Sequence, residues 1–152
     1  GYLRTTPGAT VDYGFIVREI AEIVSDKNLV SLAFDRWRID VFKKECEREG
    51  ISLPLIEFGQ GFKDMSPAID ALEAALLNNK IAHAMQPVLT MCAANAVITK
   101  DPAGNRKLDK HKATGRIDGM AALTMAIGVL NSTVEAPEAL SPWENSTYSI
   151  MG

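Results

Sequence analysis

The chain of 152 residues lacks the features that mark several specialised classes of protein. Its two cysteines, Cys46 and Cys92, give neither a disulfide framework nor a zinc-ligand spacing with His83 or His111. No apolar run reaches the ~20 residues that a membrane span needs, and no signal peptide opens the chain. The phosphate-binding pattern GxxxxGK(S/T) is absent, which argues against ATP hydrolysis by this chain. We therefore expect one globular domain with a real core and two buried, reduced thiols.

Net charge is also low, at −3, but the charges are unevenly distributed. The segment 100–116 has six basic and two acidic residues, so its net charge is +4 and that of the other residues is −7. A basic patch on an acidic protein is typical of a surface that contacts phosphate groups. A solvated hairpin that keeps lysines for solubility has the same composition, so both interpretations stay open. The basic residues are Lys100, Arg106, Lys107, Lys110, Lys112 and Arg116.

Short apolar runs with strand character alternate with segments of helical periodicity, which predicts an α/β fold with helices on both faces of a sheet. Strands are expected at 29–34 and 53–58, and a β-hairpin around the turn at 101–105. Asp12 is expected to cap the first helix, and Ser66, followed by proline, is a strong start for a later one. Further helices are predicted at 39–49, 87–95 and 117–130.

The last of these helices is apolar almost all round, and Asp118 and Thr124 are its only polar side chains. A helix without a polar face is typical of a core. Helical spacing places Asp118 on the same side as Ala122 and Met125, so we expect its carboxylate at the edge of buried territory. A carboxylate in such a place is normally paired, caps the helix or holds a metal ion. An N-cap and a functional site explain Asp118 equally well at this point.

A second acidic residue, Asp35, stands at the carboxyl end of the predicted strand 29–34. In open α/β sheets, binding sites form beyond the carboxyl ends of the strands, although aspartate is also a common turn residue there. If the fold brings Asp35 and Asp118 together, the two carboxylates could divide general acid and base roles or hold a divalent cation such as Mg²⁺. The nearby basic cluster favours metal-assisted chemistry on phosphodiesters, which normally requires three or more carboxylates.

Four segments, in order along the chain, resemble a known family: TTPGATVDYGFI, LAFDRW, EFGQGFKDMSPAI and TKDPAGNRKLDKHKATGRIDGMAALTMAIG. Together they resemble the nuclease domain of the large terminase subunits of tailed bacteriophages, from about Thr5 to Leu130. The resemblance implies an RNase H-like fold, a mixed sheet flanked by helices. It also implies Mg²⁺- or Mn²⁺-dependent endonucleolytic cleavage of concatemeric viral DNA. Residues 1–130 would then be a partial nuclease domain, and 131–152 a flexible C-terminal tail.

The resemblance also implies roles for particular residues. Asp35 matches the acid of the second catalytic position and Asp118 the acid on the C-terminal helix, so both are expected as catalytic metal ligands. The six basic residues of the segment 100–116 are expected to contact DNA, because the family presents this hairpin near its DNA path. A family segment that borders the site matches Gln60, Phe62 and Ser66, for which loop geometry and helix capping are the alternative explanation.

One departure from the family concerns the first catalytic aspartate, which the family carries on a strand upstream of the TTPG turn. No acidic residue precedes Asp12, so we expect a fragment that lacks this strand, its aspartate and the preceding ATPase motor. The expected partners are double-stranded viral DNA and, in the full system, the terminase ATPase domain, the small terminase subunit and the portal. The expected location is the cytoplasm of the bacterial host. The alternative is a non-catalytic remnant that binds DNA or packaging proteins.

Overall fold

A computed structural model describes residues 2–6, 8–36 and 39–135 of the chain. Helices and short strands alternate along these residues, as the α/β prediction requires. The helices are α1 (Tyr13–Val24), α2 (Ile39–Glu49), α3 (Phe62–Leu77), α4 (Pro87–Asn95) and α5 (Asp118–Glu135). The strands are β1 (Leu32–Phe34), β2 (Leu55–Glu57), β3 (Ile98–Lys100) and β4 (Arg106–Leu108).

The strands of the described residues form two separate pairs, whereas the family resemblance led us to expect one mixed sheet. β1 and β2 are parallel, with Leu32 opposite Leu55, and α2 forms the crossover that a parallel pair needs. β3 and β4 form the predicted antiparallel hairpin, with Ile98 opposite Leu108. The two pairs are joined through the core, because Leu108 and Ala33 pack against the same buried side chains.

The core lies between α3 and α5. Met65 and Ile69 of α3 and Met125 of α5 form its buried cluster, and Ala33, Phe58 and Leu108 pack against it. Both predicted thiols are free and buried, which confirms that expectation for Cys46 and Cys92. Burial raises the pKa of the Cys46 thiol, so this side chain stays protonated in the core.

Two helix starts show where local signals sufficed and where they failed. The Asp12 carboxylate accepts a hydrogen bond from the Phe15 N–H at 2.9 Å, which confirms the predicted cap of α1. The predicted cap at Ser66 was wrong, because α3 begins at Phe62 and Pro67 lies inside it. The Ser66 hydroxyl instead accepts a hydrogen bond from the Arg106 N–H, at 3.1 Å. That distant partner, 40 residues along the chain, replaces the local capping bond that the sequence suggested.

Helix α5 is longer than predicted and ends at Glu135, so residues 131–135 are helical. The rest of the expected tail, 136–152, lies outside the described residues. At the other end, the Ala121 N–H donates to the Ile117 carbonyl at 3.0 Å. Ile117 therefore holds the cap position, and Asp118 is the first helical residue rather than the cap. None of the helices that the structure describes is both long and apolar enough to cross a membrane.

Gly128 of α5 allows the close approach of this helix to α3 and to the end of β2. A Cβ atom at Gly128 would meet the Phe58 ring at 2.7 Å and the Ala68 Cβ at 2.8 Å. Neither neighbour is the free end of a flexible side chain, so a methyl group here forces the core to shift.

We predict that Gly128→Ala destabilises the protein by about 1 kcal/mol in urea unfolding. Helix propensity alone predicts a gain of about 1 kcal/mol, whereas overpacking costs about 1–3 kcal/mol. Ala126→Gly, at an exposed position of the same helix, measures the propensity difference by itself. A stabilised Gly128→Ala protein would show that the contact between α3 and α5 is looser than the structure has it.

Candidate functional site

The carboxylate of Asp118 lies at the start of α5, where 69% of the side chain is exposed. The Nζ atom of Lys110 is 3.7 Å from its Oδ1 atom. Asp118 is thus more exposed than we expected, although the neighbouring Ile117 is fully buried. Asp118 is the first residue of α5, so its side chain lies at the end of the helix, whereas Met125 and Val129, further along the same side, are buried.

Asp35 lines a groove with a volume of about 790 Å³ between β1, the end of α1 and α5. Ala122, Met125 and Val129 of α5 line it as well. Residues 118, 122, 125 and 129 share one side of a helix, so Asp118 lies one turn beyond the groove-lining Ala122. Asp35 is half-buried in the groove, whereas Asp118 is exposed at the start of α5 and does not line it.

The described residues do not by themselves fit a two-metal site. Among them, no three histidine, cysteine, aspartate or glutamate side chains come together in a way that could hold a metal ion. Two-metal catalysis requires several carboxylates around a pair of hard cations. Asp35 and Asp118 can therefore supply only part of such a ligand set.

The six predicted DNA-contacting residues fall into two groups. Lys100, Lys110, Lys112 and Arg116 are exposed to solvent. Arg106 and Lys107, both half-buried on β4, turn instead towards α3. The Arg106 guanidinium pairs with the carboxylates of Asp70 and Glu73, and the Lys107 Nζ lies 4.7 Å from the centre of the Phe62 ring.

The predicted turn of the hairpin is built by Asp101. Its carboxylate accepts hydrogen bonds from the Asn105 N–H and from the Asn105 Nδ2 atom, both at 2.8 Å. The hydrogen bond from the Asn105 side chain, followed by those from turn N–H groups, lowers the pKa of Asp101. Gly104 has a φ of +86°, a backbone conformation that residues with a side chain rarely adopt.

The loop that follows the hairpin is held by two residues that the sequence analysis missed, Asp109 and Asn95. The Asp109 carboxylate accepts from the N–H groups of His111 and Lys112, at 3.0 and 3.1 Å. The Asn95 side chain donates to the Arg116 carbonyl at 3.3 Å and accepts from the Thr114 hydroxyl at 3.0 Å. Asp109 could have been found from its sequence, since aspartate commonly bonds backbone groups two and three residues ahead. Asn95 has no such local signal.

The segment expected to border the site, which contains Gln60, Phe62 and Ser66, leads into α3. Gln60 is half-buried in the loop after β2. Phe62 lies beneath Lys107, and Ser66 accepts the hydrogen bond from Arg106. Phe62 and Ser66 thus connect α3 to the basic hairpin, and loop geometry and capping do not account for them.

Comparison with known proteins identifies the family. The family described as Terminase large subunit, endonuclease domain, matches residues 2–133 of the chain. The chain belongs to this family. It is 66% identical over 134 residues to the large terminase subunit of Enterobacteria phage HK97, a match that covers 88% of this chain and 27% of that protein. It is 30% identical over 131 residues to protein YmfN of Escherichia coli, covering 84% of this chain and 28% of YmfN.

Solved structures agree with this terminase assignment. The crystal structure of the HK97 large terminase matches with a TM-score of 0.80 and 66% identity, over 84% of this chain and 27% of that one. The large terminase nuclease of thermophilic phage G20c matches with a TM-score of 0.59 at 16% identity, over 78% of this chain and 63% of that one, and supports the fold alone. The α/β, RNase H-like fold and the terminase resemblance are thereby confirmed. The chain spans about a quarter of the length of its curated relatives.

We predict that the hairpin turn loses order in acid, because the folded-state pKa of Asp101 is below its usual value. The stability from its hydrogen bonds is fully present above the unfolded-state pKa of about 3.9 and is lost as the pH falls through the lower folded-state pKa. The chemical shift of the Asn105 amide proton, followed by NMR as the pH is lowered, measures this step. Asp101→Asn is the control that should abolish it. A midpoint above the ordinary aspartate value would refute the assignment.

Proposed function

We propose that this chain is the DNA-cutting part of a phage large terminase subunit, a metal-dependent endonuclease domain that cleaves concatemeric double-stranded viral DNA during packaging. Membership of the terminase endonuclease family supports the reaction class. The observation that carries the proposal is the position of Asp118, an exposed carboxylate at the head of α5 whose nearest cation, Lys110, belongs to the basic segment.

The exposed cations supply the DNA-binding surface in this proposal. Lys110, Lys112 and Arg116 lie in the loop between β4 and α5, and Lys100 ends β3. Cations in such an arrangement bind backbone phosphates without reading the base sequence. A phosphate held by Lys110 lies next to Asp118, so the same contacts that bind the duplex place its backbone beside a catalytic carboxylate.

Asp35 and Asp118 are the residues that we propose as ligands for Mg²⁺ or Mn²⁺. Both offer the hard oxygen atoms that these ions prefer. When bound, the cations would supply the activated water and the charge stabilisation that phosphodiester hydrolysis needs. A complete set requires a further carboxylate, which the described residues do not bring into a group with these two.

The proposed partners follow from the role of the whole subunit. They are double-stranded viral DNA, the terminase ATPase domain, the small terminase subunit and the portal, in the cytoplasm of the bacterial host. A second candidate is a non-catalytic terminase remnant that binds DNA or packaging proteins. It is favoured by one observation, that the carboxylates of the described residues do not form a group of three.

We predict weak Mn²⁺ binding by this chain, with a Kd on the order of 1 mM in calorimetric titration, because two carboxylates give too few charged ligands. Asp118→Asn and Asp35→Asn should each weaken it at least about threefold. Asp26→Asn, at an exposed aspartate after α1, is the matched control and should have no effect. If the pure chain nicks plasmid DNA robustly and Asp118→Asn abolishes this activity, these two carboxylates suffice for catalysis.

We predict that Lys112→Gln weakens the binding of a DNA duplex and reduces the slope of log K against log salt by about 0.9, the loss of one phosphate contact. Fluorescence anisotropy at several salt concentrations measures both quantities. Lys44→Gln removes an exposed charge from α2 and is the control for net charge. Equal slopes for the two variants would place the DNA elsewhere on the protein.

A further inference from the structure

One face of α3 is built to receive the basic hairpin. We call it the hairpin-docking face, and it comprises Phe62, Ser66, Asp70 and Glu73. Spacings of four, four and three residues place these side chains on one side of the helix. All four contact Arg106 or Lys107 of β4. Two of the basic residues expected to contact DNA are therefore engaged by the protein itself.

We propose that Arg106 is a positioning residue, which fixes the basic hairpin on α3 and makes no phosphate contact of its own. Its backbone N–H donates to the Ser66 hydroxyl at 3.1 Å. Its guanidinium donates to the Asp70 carboxylate and to Glu73 Oε2, the latter at 2.8 Å. Backbone and side chain of one residue thus bind three consecutive positions of the hairpin-docking face.

The surroundings of Arg106 are unfavourable for a phosphate. Only 22% of its side chain is exposed. The Asp70 carboxylate first, and Glu73 after it, raise the pKa of Arg106, so its charge is permanently matched by two carboxylates. A DNA phosphate that approached this guanidinium would have to compete with both carboxylates, which would repel it.

The docking of Arg106 also places a residue that is free to bind DNA. Arg106 lies directly opposite Lys100 in the register of the hairpin. Leu108, on the same face of β4 as Arg106, packs into the core against Met65 and Ile69. β4 is thereby fixed at two points on α3, and β3, which is paired with it, carries Lys100 to its exposed position.

This inference rests on the proposed DNA surface for its functional meaning, but its first test needs no DNA. Amide hydrogen exchange of residues 98–100 and 106–108 should become about five- to tenfold faster in Arg106→Gln, because charge-assisted hydrogen bonds to α3 are lost. Arg106→Lys should give a partial effect, since lysine lacks the fork that spans two carboxylates. Lys100→Gln, which keeps the docking contacts, should leave the exchange unchanged.

The second test separates positioning from phosphate binding. Arg106→Gln should weaken DNA binding several-fold with an unchanged salt slope, whereas Lys100→Gln should reduce the slope by about 0.9. The proposal is overturned if Arg106→Gln lowers the slope as Lys100→Gln does and leaves the exchange of the hairpin unchanged.

A third variant covers the case in which Arg106→Gln fails to fold. Asp70→Asn, at a mostly exposed position, should also speed hairpin exchange. A purely electrostatic effect of this carboxylate predicts tighter DNA binding and unchanged exchange, and that result would contradict positioning.

If neither Lys100→Gln nor Lys112→Gln alters DNA binding, the proposed DNA surface fails, while hydrogen exchange still decides the role of Arg106.

Discussion

The contact between α3 and α5 is the constraint on which the other parts of this domain depend. Met65, Ile69 and Met125 interlock there, and Gly128 leaves room for the Phe58 ring that follows β2. Each partner then carries one half of the candidate site. α5 carries Asp118 at its start and forms one wall of the groove, while α3 carries the residues that dock the hairpin. A change in the distance between the two helices would therefore move the carboxylate relative to the cations.

The positive charge that the segment 100–116 exposes is smaller than its sequence suggests. The segment 100–116 has a net charge of +4, yet Arg106 is paired with two carboxylates of α3 and Lys107 lies over the Phe62 ring. Lys100, Lys110, Lys112 and Arg116 remain exposed, and two of them, Lys110 and Lys112, lie 3.7 and 3.9 Å from the carboxylates of Asp118 and Asp109. Long-range attraction of DNA depends on the charge that such pairs leave uncompensated, because ion pairs contribute little field at a distance beyond the Debye length. The electrostatic footprint is thus smaller than a count of lysines and arginines suggests.

Features set by neighbouring residues could be predicted from the sequence. The cap at Asp12, the boundaries of α4 and the β-hairpin all follow from local signals, and the structure confirms them. Features set by distant contacts could not. Ser66 has the sequence of a helix cap but bonds to Arg106, which is 40 residues away. Asp118 is also more exposed than its expected place at the edge of the core, because helical periodicity identifies a side of α5 but not how exposed its first residue is.

The pair formed by Lys110 and Asp118 shows why an exposed carboxylate suits the head of α5. Half of the Lys110 side chain is exposed, and the two charged atoms are 3.7 Å apart. Exposed pairs of this kind contribute about 0–1 kcal/mol, so little free energy is lost when either partner turns to another ligand. In the proposed function, a DNA phosphate would bind Lys110 while the Asp118 carboxylate stays in place. Had Asp118 been buried, leaving its carboxylate unpaired would have cost about 3–5 kcal/mol, the range for removing one partner of a buried ion pair. Exposure therefore lets this carboxylate exchange partners, as its proposed position beside a DNA backbone requires.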